Sequence, residues 1–322
     1  MRRRDLAGAA VGLLDAFARL RPAHAQERGA IRLVVPNAPG ILPDILARIT
    51  AAGLSRALGR QVVAENHAGA NGIIAAQLVA RQPADGSVLM LAGASVLSFN
   101  PVLYASLPYD VRSDFTYVGG VADTPFMLVA SRKSGLASFG GFVARAQERP
   151  GAVTFASVGI GNTTHLAMEM VADAAKIELL HVPISTTNPM TSLVSGEVDI
   201  LAGPVSSLLR QVKAGTVVAL AVMEPRRLQE LSETPTLAEL GVQVPRVPGW
   251  YGIVGPMGLS DEATESIATA IATMLRDPAL LSRLGELHLT PLLSTPAALR
   301  ERTAEDMNVW GDLIRRKGVR LG

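Results

Sequence analysis

The sequence has no cysteine, few aromatic residues and no long apolar segment. Without cysteine, the chain has neither disulfides nor thiolate metal sites. Aromatic residues make up 4% of the chain and hydrophobic residues 48%, which favours an α/β protein with an Ala, Val and Leu core over an aromatic-rich β-sandwich. After residue 30, no run approaches the roughly 18 apolar residues of a membrane span. A length of 322 residues is sufficient for two ordinary domains.

Residues 1–25 are predicted to be an export signal. Arg2, Arg3 and Arg4 precede a short apolar stretch, and Ala23-His24-Ala25 fits a cleavage site. An amphipathic N-terminal helix is the alternative, because charged residues interrupt the apolar stretch. The segment carries five arginines and two aspartates, so its removal changes the formal net charge from +2 to −1. The remaining chain has no marked basic patch, so we expect a periplasmic protein that does not bind nucleic acid.

Residues 31–59 read as a strand, a loop and a helix. The strand is 31–35, the loop contains Pro39 and Gly40, and Gly59 ends the helix. Asp44 falls in the first helical turn, where a carboxylate suits the positive end of the helix dipole. A strand that leads through a loop to a helix N-terminus forms an anion site from backbone N–H groups, although a plain connection without a ligand has the same pattern. The spacing of Ile45, Ile49, Ala52 and Gly53 predicts the buried face of this helix.

A second unit of this kind occupies residues 153–175. A strand over 153–157 leads into a loop with Gly159 and Gly161, and a helix is predicted over 166–175. The two glycines let the backbone approach a ligand, and Thr163 or Thr164 can cap the helix. Neither the third glycine of a dinucleotide fingerprint nor a P-loop lysine is present, so nucleotide binding is a poor interpretation.

The order of elements predicts two α/β units, one inserted into the other. Strands at 31–35, 61–65 and 87–91 with helices between them indicate a parallel sheet, and a small-residue loop over 92–98 follows the third strand. A second unit begins near Pro125, and a strand over 249–254 returns to the first. We therefore expect one lobe from 26–124 plus 250–322 and another from 125–249.

The chain resembles the Bug-type receptors of tripartite tricarboxylate transport systems, a class of periplasmic solute-binding proteins. The matching segments keep their order and spacing along the chain. They are PNAPGILPDILAR (36–48), VVAENHAGANG (62–72), PADGSVLML (83–91), NPVLYASLPYD (100–110), VGIGNTTHLAME (158–169), HVP (181–183), LAV (220–222), ETPTLAELG (233–241) and GWYGIVGP (249–256).

The resemblance implies a two-lobed, type II periplasmic-binding-protein fold, with mostly parallel sheets flanked by helices and a helical C-terminal tail. It implies a monomeric, non-enzymatic receptor for a small organic acid, without cofactor or metal, that works with membrane transporter or sensor subunits. The carboxylate is expected between the two loops. The expected ligand-binding residues are Pro39, Gly40, Ile41, Leu42, Asp44, Ser95, Gly159, Gly161, Asn162, Thr163, His165 and Asp199.

Two departures from the family pattern concern the ligand. The family usually has Pro-Gly-Gly in the first loop, whereas this chain has Ile41 after Gly40, which makes that side of the site more apolar. After Pro183 the family continues with an aromatic residue, Lys and Gly, whereas this chain has Ile184-Ser185-Thr186. An altered, more apolar acid and a weakened binding function both fit these changes.

Several candidates have a structural alternative. Asp44 can fix its own loop, Ser95 can be a turn residue, Asp199 can bond a neighbouring loop and His165 can be a packing residue. A hydrolase is the enzymatic alternative, but no G-x-S-x-G elbow or H-E-x-x-H motif is present. A sensor that presents its liganded form to a membrane partner is the other.

Overall fold

The computed structural model describes residues 29–184, 188–244 and 249–321. The predicted export signal, Ser185 and Thr186 lie outside these ranges. Two β-sheets with flanking helices make up the described chain. The strands are β1 (Ile31–Val35), β2 (Val62–Asn66), β3 (Val88–Gly93), β4 (Phe115–Asp123), β5 (Phe126–Ser131), β6 (Thr154–Ser157), β7 (Leu180–Pro183), β8 (Ile200–Pro204), β9 (Val217–Val222), β10 (Trp250–Pro256) and β11 (Thr290–Pro291).

Most of the helices begin with proline in the first turn or at capping residues such as Ser138, Asn162 and Thr295, whose side chains accept a hydrogen bond from the first turn. They are α1 (Leu42–Leu58), α2 (Ile73–Ala80), α3 (Asn100–Leu103), α4 (Phe139–Glu148), α5 (Thr163–Ala175), α6 (Pro189–Ser195), α7 (Val205–Lys213), α8 (Asp261–Met274), α9 (Pro278–Glu286) and α10 (Pro296–Arg316). No helix among the described residues is both long and apolar enough to cross a membrane.

Each sheet belongs to one lobe. The first sheet has the order β11-β4-β10-β3-β1-β2 and the second has β7-β6-β8-β5-β9. In the first, β1 pairs in parallel with β2 and β3, whereas β10 is antiparallel to both of its neighbours. The second combines parallel and antiparallel pairs in the same way. The two-lobed α/β fold is confirmed, but the sheets are mixed rather than mostly parallel, because β5 and β10, the first strand after each crossing, run against both of their neighbours.

The chain crosses between the sheets twice, after β4 and before β10. At the crossing, the Thr124 N–H donates to the Gly249 carbonyl oxygen at 2.8 Å. A Cβ atom at residue 249 would lie 2.6 Å from the Thr124 carbonyl oxygen, so only glycine fits. We propose lobe boundaries at this double crossing, with 26–124 plus 250–322 in the first lobe and 125–249 in the second.

Two local predictions are wrong. Helix α1 buries Leu46, Ala47, Thr50 and Leu54. Of the predicted face only Gly53 is buried, whereas Ala52 is exposed and the two isoleucines are half-buried. Apolar residues occur on both sides of this helix, and packing on the sheet and on α8 selects the Leu46 side. The predicted loop over 92–98 is also not a loop: β3 continues to Gly93, and a π-helical turn over Ser95–Phe99 leads directly into α3.

Candidate ligand-binding cleft

The loop after β1 is held by Asp44. The Gly40 N–H donates to Asp44 Oδ2 at 2.8 Å, and Arg48 lies 2.9 Å from Asp44 Oδ1. The Gly40 hydrogen bond first, and Arg48 next, hold the pKa of this buried carboxyl below its usual range. Asp44 therefore fixes the loop with its negative charge already paired, in agreement with the structural alternative. Gly40 has φ +84°, a conformation that favours glycine.

The loop after β6 begins α5 with Asn162 as its cap. Asn162 Oδ1 accepts a hydrogen bond from the Thr164 N–H at 3.1 Å, so the predicted threonine cap is wrong and α5 starts at Thr163. A cap of this kind stabilises a helix by about 1 kcal/mol. Gly161 has φ +73°, and its N–H donates to His165 Nδ1 at 3.0 Å. His165 is buried, so it shapes the loop from beneath and is closed to solvent.

Two histidines and a phenylalanine form a stack under this loop. The rings of His165 and His181 are 3.9 Å apart, and Phe155 lies 4.7 Å from His181. His181 Nε2 lies 2.7 Å from Ser157 Oγ, which also accepts a hydrogen bond from the Gly159 N–H at 3.1 Å. Burial, with repulsion from His165, lowers the pKa of His181 to about 4, so it is neutral at pH 7. His181 therefore supports the loop without adding positive charge.

Helix α5 also connects this loop to the first lobe. Glu169 Oε1 lies 3.7 Å from His165 Nε2, and Glu169 Oε2 lies 3.3 Å from Lys317 Nζ. Burial raises the pKa of Glu169, but His165 and Lys317 outweigh this effect and its pKa lies below the ordinary value. A continuous chain of contacts thus runs from Gly161 to the end of α10.

Ser95 and Thr163 meet across the lobes. Their side-chain oxygens are 3.0 Å apart, and either hydroxyl can donate. Ser95 follows β3, which neighbours β1 in the first sheet, and Thr163 begins α5 in the second lobe. The carboxyl ends of the two sheets therefore face each other here, the position at which α/β proteins commonly bind ligands.

Backbone donors remain unengaged on both sides. Among the described residues, no hydrogen bond uses the N–H groups of Ile41 and Leu42 in the first loop or of Ile160 and Thr163 in the second. The N–H groups of Gly159, Gly161 and Asn162 are all engaged within their own loop. Ile41, Leu42 and Thr163 lie at helix N-termini, where the helix dipole favours an anion, and Ile160 lies two residues before the cap of α5. Ile160 was not among the predicted site residues.

The sides of the cleft are apolar. Ile41 is 47% exposed, and Val158 and Ile160 in the second loop are 44% and 46% exposed. Large aliphatic side chains kept in solvent at both loops suit a ligand with an apolar body. Pro39 is exposed as well and Leu42 is half-buried, so the whole rim of the first loop lacks charge.

A third loop lies at the same carboxyl end of the parallel strands, and it was not among the predicted site elements. Four consecutive residues after β2 have positive φ: Gly69, Ala70, Asn71 and Gly72. Positive φ is strained for Ala70, and such strain is concentrated at functional sites. The fully buried Asn100 holds the loop through Asn71, accepting from its side chain at 2.7 Å and donating to its carbonyl at 3.1 Å. The two glycines in HAGANG indicated a turn in the sequence. Ala70 and Asn71 between them did not indicate that four consecutive residues have positive φ.

Asp199 does not belong to the cleft. It precedes β8, and its Oδ2 accepts hydrogen bonds from the N–H and the hydroxyl of Thr154, both at 2.9 Å. Thr154 begins β6, whereas the ligand loop follows the end of β6, so Asp199 lies at the opposite edge of the sheet. Its carboxylate ties two parallel strands together, and its prediction as a ligand contact is wrong. Among the described residues, no group of three or more His, Asp and Glu side chains is placed to hold a metal ion.

Comparison with known proteins identifies the family. Residues 46–319 match the family described as Tripartite tricarboxylate transporter family receptor. A UPF0065 protein in the tcbD-tcbE intergenic region of Pseudomonas sp. strain P51 is 33% identical over 97% of this chain and 94% of its own. Protein BugT of Bordetella pertussis is 30% identical over 90% of both chains.

Solved structures agree with this match. The R. palustris protein Rpa4515 with adipate superimposes with a TM-score of 0.81 at 28% identity, over 90% of this chain and 97% of that one. With this fold and the two opposed glycine loops, the chain belongs to the tripartite tricarboxylate transporter family of receptors, the solute-binding family that contains the Bug proteins.

Proposed function

We propose that this protein is a periplasmic receptor that captures a small organic acid between its lobes. The unengaged N–H groups of Ile41, Leu42, Ile160 and Thr163 at two helix N-termini are the observation that carries the proposal. Such donors hold a carboxylate without an arginine or lysine. Export after cleavage near Ala25, a monomeric state and delivery to membrane transporter subunits complete the proposal.

The apolar sides favour a carboxylate with a hydrocarbon body. Ile41, Val158 and Ile160 offer aliphatic surface next to the N–H groups, and a relative of known structure binds adipate, a six-carbon dicarboxylate. We propose that Ile41 shifts the preference of this receptor from strongly charged tricarboxylates towards such acids. Adipate is accordingly the first ligand to test.

A hydrolase is the weaker alternative. Ser157 and His181 lie within hydrogen-bonding distance, as in nucleophilic catalysis. Ser157 is fully buried, however, and its oxygen is also bonded to Gly159. No hydrogen bond among the described residues joins His181 to a carboxylate that could orient it. The pair therefore supports the loop and has no access to a substrate.

Thermal stabilisation by three six-carbon compounds tests the proposal. Adipate, hexane-1,6-diol and 1,6-diaminohexane share a carbon chain and differ in end groups. At a concentration about 100-fold above its dissociation constant, a ligand stabilises the folded state by about 2.7 kcal/mol, which raises the melting temperature by several degrees. We expect this shift with adipate alone, and a shift with the diamine or the diol but not with adipate would refute a carboxylate receptor.

A further inference from the structure

A groove of about 920 Å³ lies within the first lobe, apart from the cleft. The segment 101–112 forms one wall and α10 with residues 319–320 forms the other. The Leu321 N–H donates to the Leu103 carbonyl oxygen at 2.9 Å, and this hydrogen bond joins the two walls. Sites for small molecules have volumes of about 300–1,000 Å³. The groove is therefore large enough for a ligand of its own.

The rim of the groove is basic. Arg112, Arg300 and Arg320 line it, and no aspartate or glutamate does. Among the described residues, none of the three forms an ion pair. A fourth arginine, Arg315, already pairs with Asp312. Three guanidinium groups without a carboxylate partner make this concave surface an attractive environment for an anion.

Helix stability does not account for Arg112 and Arg300. Basic residues favour the C-terminal end of a helix, but Arg300 lies near the N-terminal end of α10, and Arg112 is not in a helix. Arg300 instead sits 5.3 Å above the ring centre of Tyr117, a contact that holds its guanidinium over the groove. The nearby Asp110 Oδ1 accepts a hydrogen bond from the Arg112 backbone N–H at 2.8 Å, not from the Arg112 guanidinium group.

The floor of the groove is apolar. It consists of Val102, Val111, Met307 and Val319, which are buried or half-buried. Apolar floor and basic rim together match a molecule with a hydrocarbon body and one anionic end. A compact inorganic anion would leave the apolar floor exposed to water.

We propose that this groove is a second binding site, for a small amphipathic monocarboxylate. Its apolar body lies along Val102, Val111 and Met307, and its carboxylate meets Arg112 and Arg300. One wall also contacts the cleft: a Cβ atom at Gly161 would lie 2.6 Å from Leu103 Cδ1. Leu103 therefore separates the monocarboxylate in the groove from the loop that contains Gly161.

Octanoate is the probe, with binding measured by calorimetry. The experiment uses the Asn162→Asp variant, which places a negative charge at the cleft loop and is expected to weaken carboxylate binding there. We expect saturable octanoate binding that falls roughly 10-fold or more in Arg112→Gln/Arg300→Gln, through the loss of two charge-assisted contacts. Ala304→Trp, at an exposed position of the same groove, should block it by filling the space.

Arg81→Gln/Arg276→Gln is the matched control, because it removes the same charge from exposed positions elsewhere in the first lobe. Circular dichroism, together with adipate binding by the same variants without Asn162→Asp, verifies folding. Equal loss of octanoate binding in both arginine pairs, or no saturable binding at all, overturns the proposal. Sedimentation with anionic lipid vesicles that depends on Arg112 and Arg300, without binding of free octanoate, overturns it in favour of a membrane surface.

Discussion

At the scale of single residues, His181 is a histidine whose pKa is lowered by burial. Its ring contacts both Phe155 and His165, and its Nε2 faces Ser157. Its pKa of about 4 lies below the ordinary value of 6.5. Between these two pH values the unfolded chain binds a proton at this residue and the folded chain does not. The contribution of neutral His181 is therefore fully present above pH 6.5 and is lost as the pH falls towards 4.

We expect the melting temperature to fall more steeply between pH 6.5 and pH 4.5 in the native protein than in His181→Phe. Phenylalanine keeps the stack and removes the titration, and Ser157 retains its bonds to Gly159. At pH 8 the pH-dependent difference should vanish. Parallel melting curves across this range would contradict the assignment.

Residue chemistry was predictable where it depends on neighbours in sequence. The roles of Gly40 and Asp44 follow from a proline-rich loop that precedes a helix. The Ser157–His181 contact joins residues 24 positions apart, and the pairing of β6 with β7 creates it. No sequence spacing shows such a contact. Ile160 was missed because its side chain resembles that of a packing residue, whereas its backbone N–H group is what makes it a candidate donor.

At the scale of elements, the start of α5 is the most constrained part of the cleft. Gly161 combines a positive φ with close packing against the first lobe, where Leu103 and Leu321 lie near the position of a Cβ atom. A side chain here disturbs both the loop conformation and the contact between the lobes.

We expect Gly161→Ala to destabilise the protein by about 1–3 kcal/mol, since alanine is strained at this φ, and to weaken adipate binding. Gly140→Ala is the control: residue 140 lies within α4, with no atom within 4 Å of its Cβ position. Alanine there should be neutral or stabilising by up to about 1 kcal/mol. Urea unfolding of both variants measures the difference, and equal stability would show that the Gly161 conformation is not required.

Element boundaries were predictable where a glycine marks them, as at Gly59 and at the end of β6, whereas the start of α5 was placed three residues too late. The buried face of α1 was not, because apolar residues surround this helix and only its contacts with the sheet and α8 decide between faces. The direction of β10 also depends on tertiary structure, since the strand returns from the second lobe.

At the scale of the whole molecule, the two lobes touch beside the cleft. Leu166 and Met170 of α5 share one buried cluster with Trp310 of α10. Arg316 reaches Asp173 at 2.7 Å on the surface of the same interface. These contacts and the double crossing at Thr124 and Gly249 hold the two loops opposite each other. We propose that binding of a carboxylate between them depends on the positive character of both helix N-termini.

Adipate affinity in Asn162→Asp tests this account most directly. Aspartate caps a helix as well as asparagine does, so α5 is retained, but its charge occupies the positive end of the helix and repels a ligand carboxylate. Asn162→Ser keeps the cap without charge, and Ser138→Asp adds the same charge at the cap of α4. By calorimetry we expect Asn162→Asp to weaken adipate binding roughly 10-fold to 100-fold, as for like charges about 5 Å apart, and both controls to bind as the native protein does. Unchanged affinity in Asn162→Asp would contradict a carboxylate held at the start of α5.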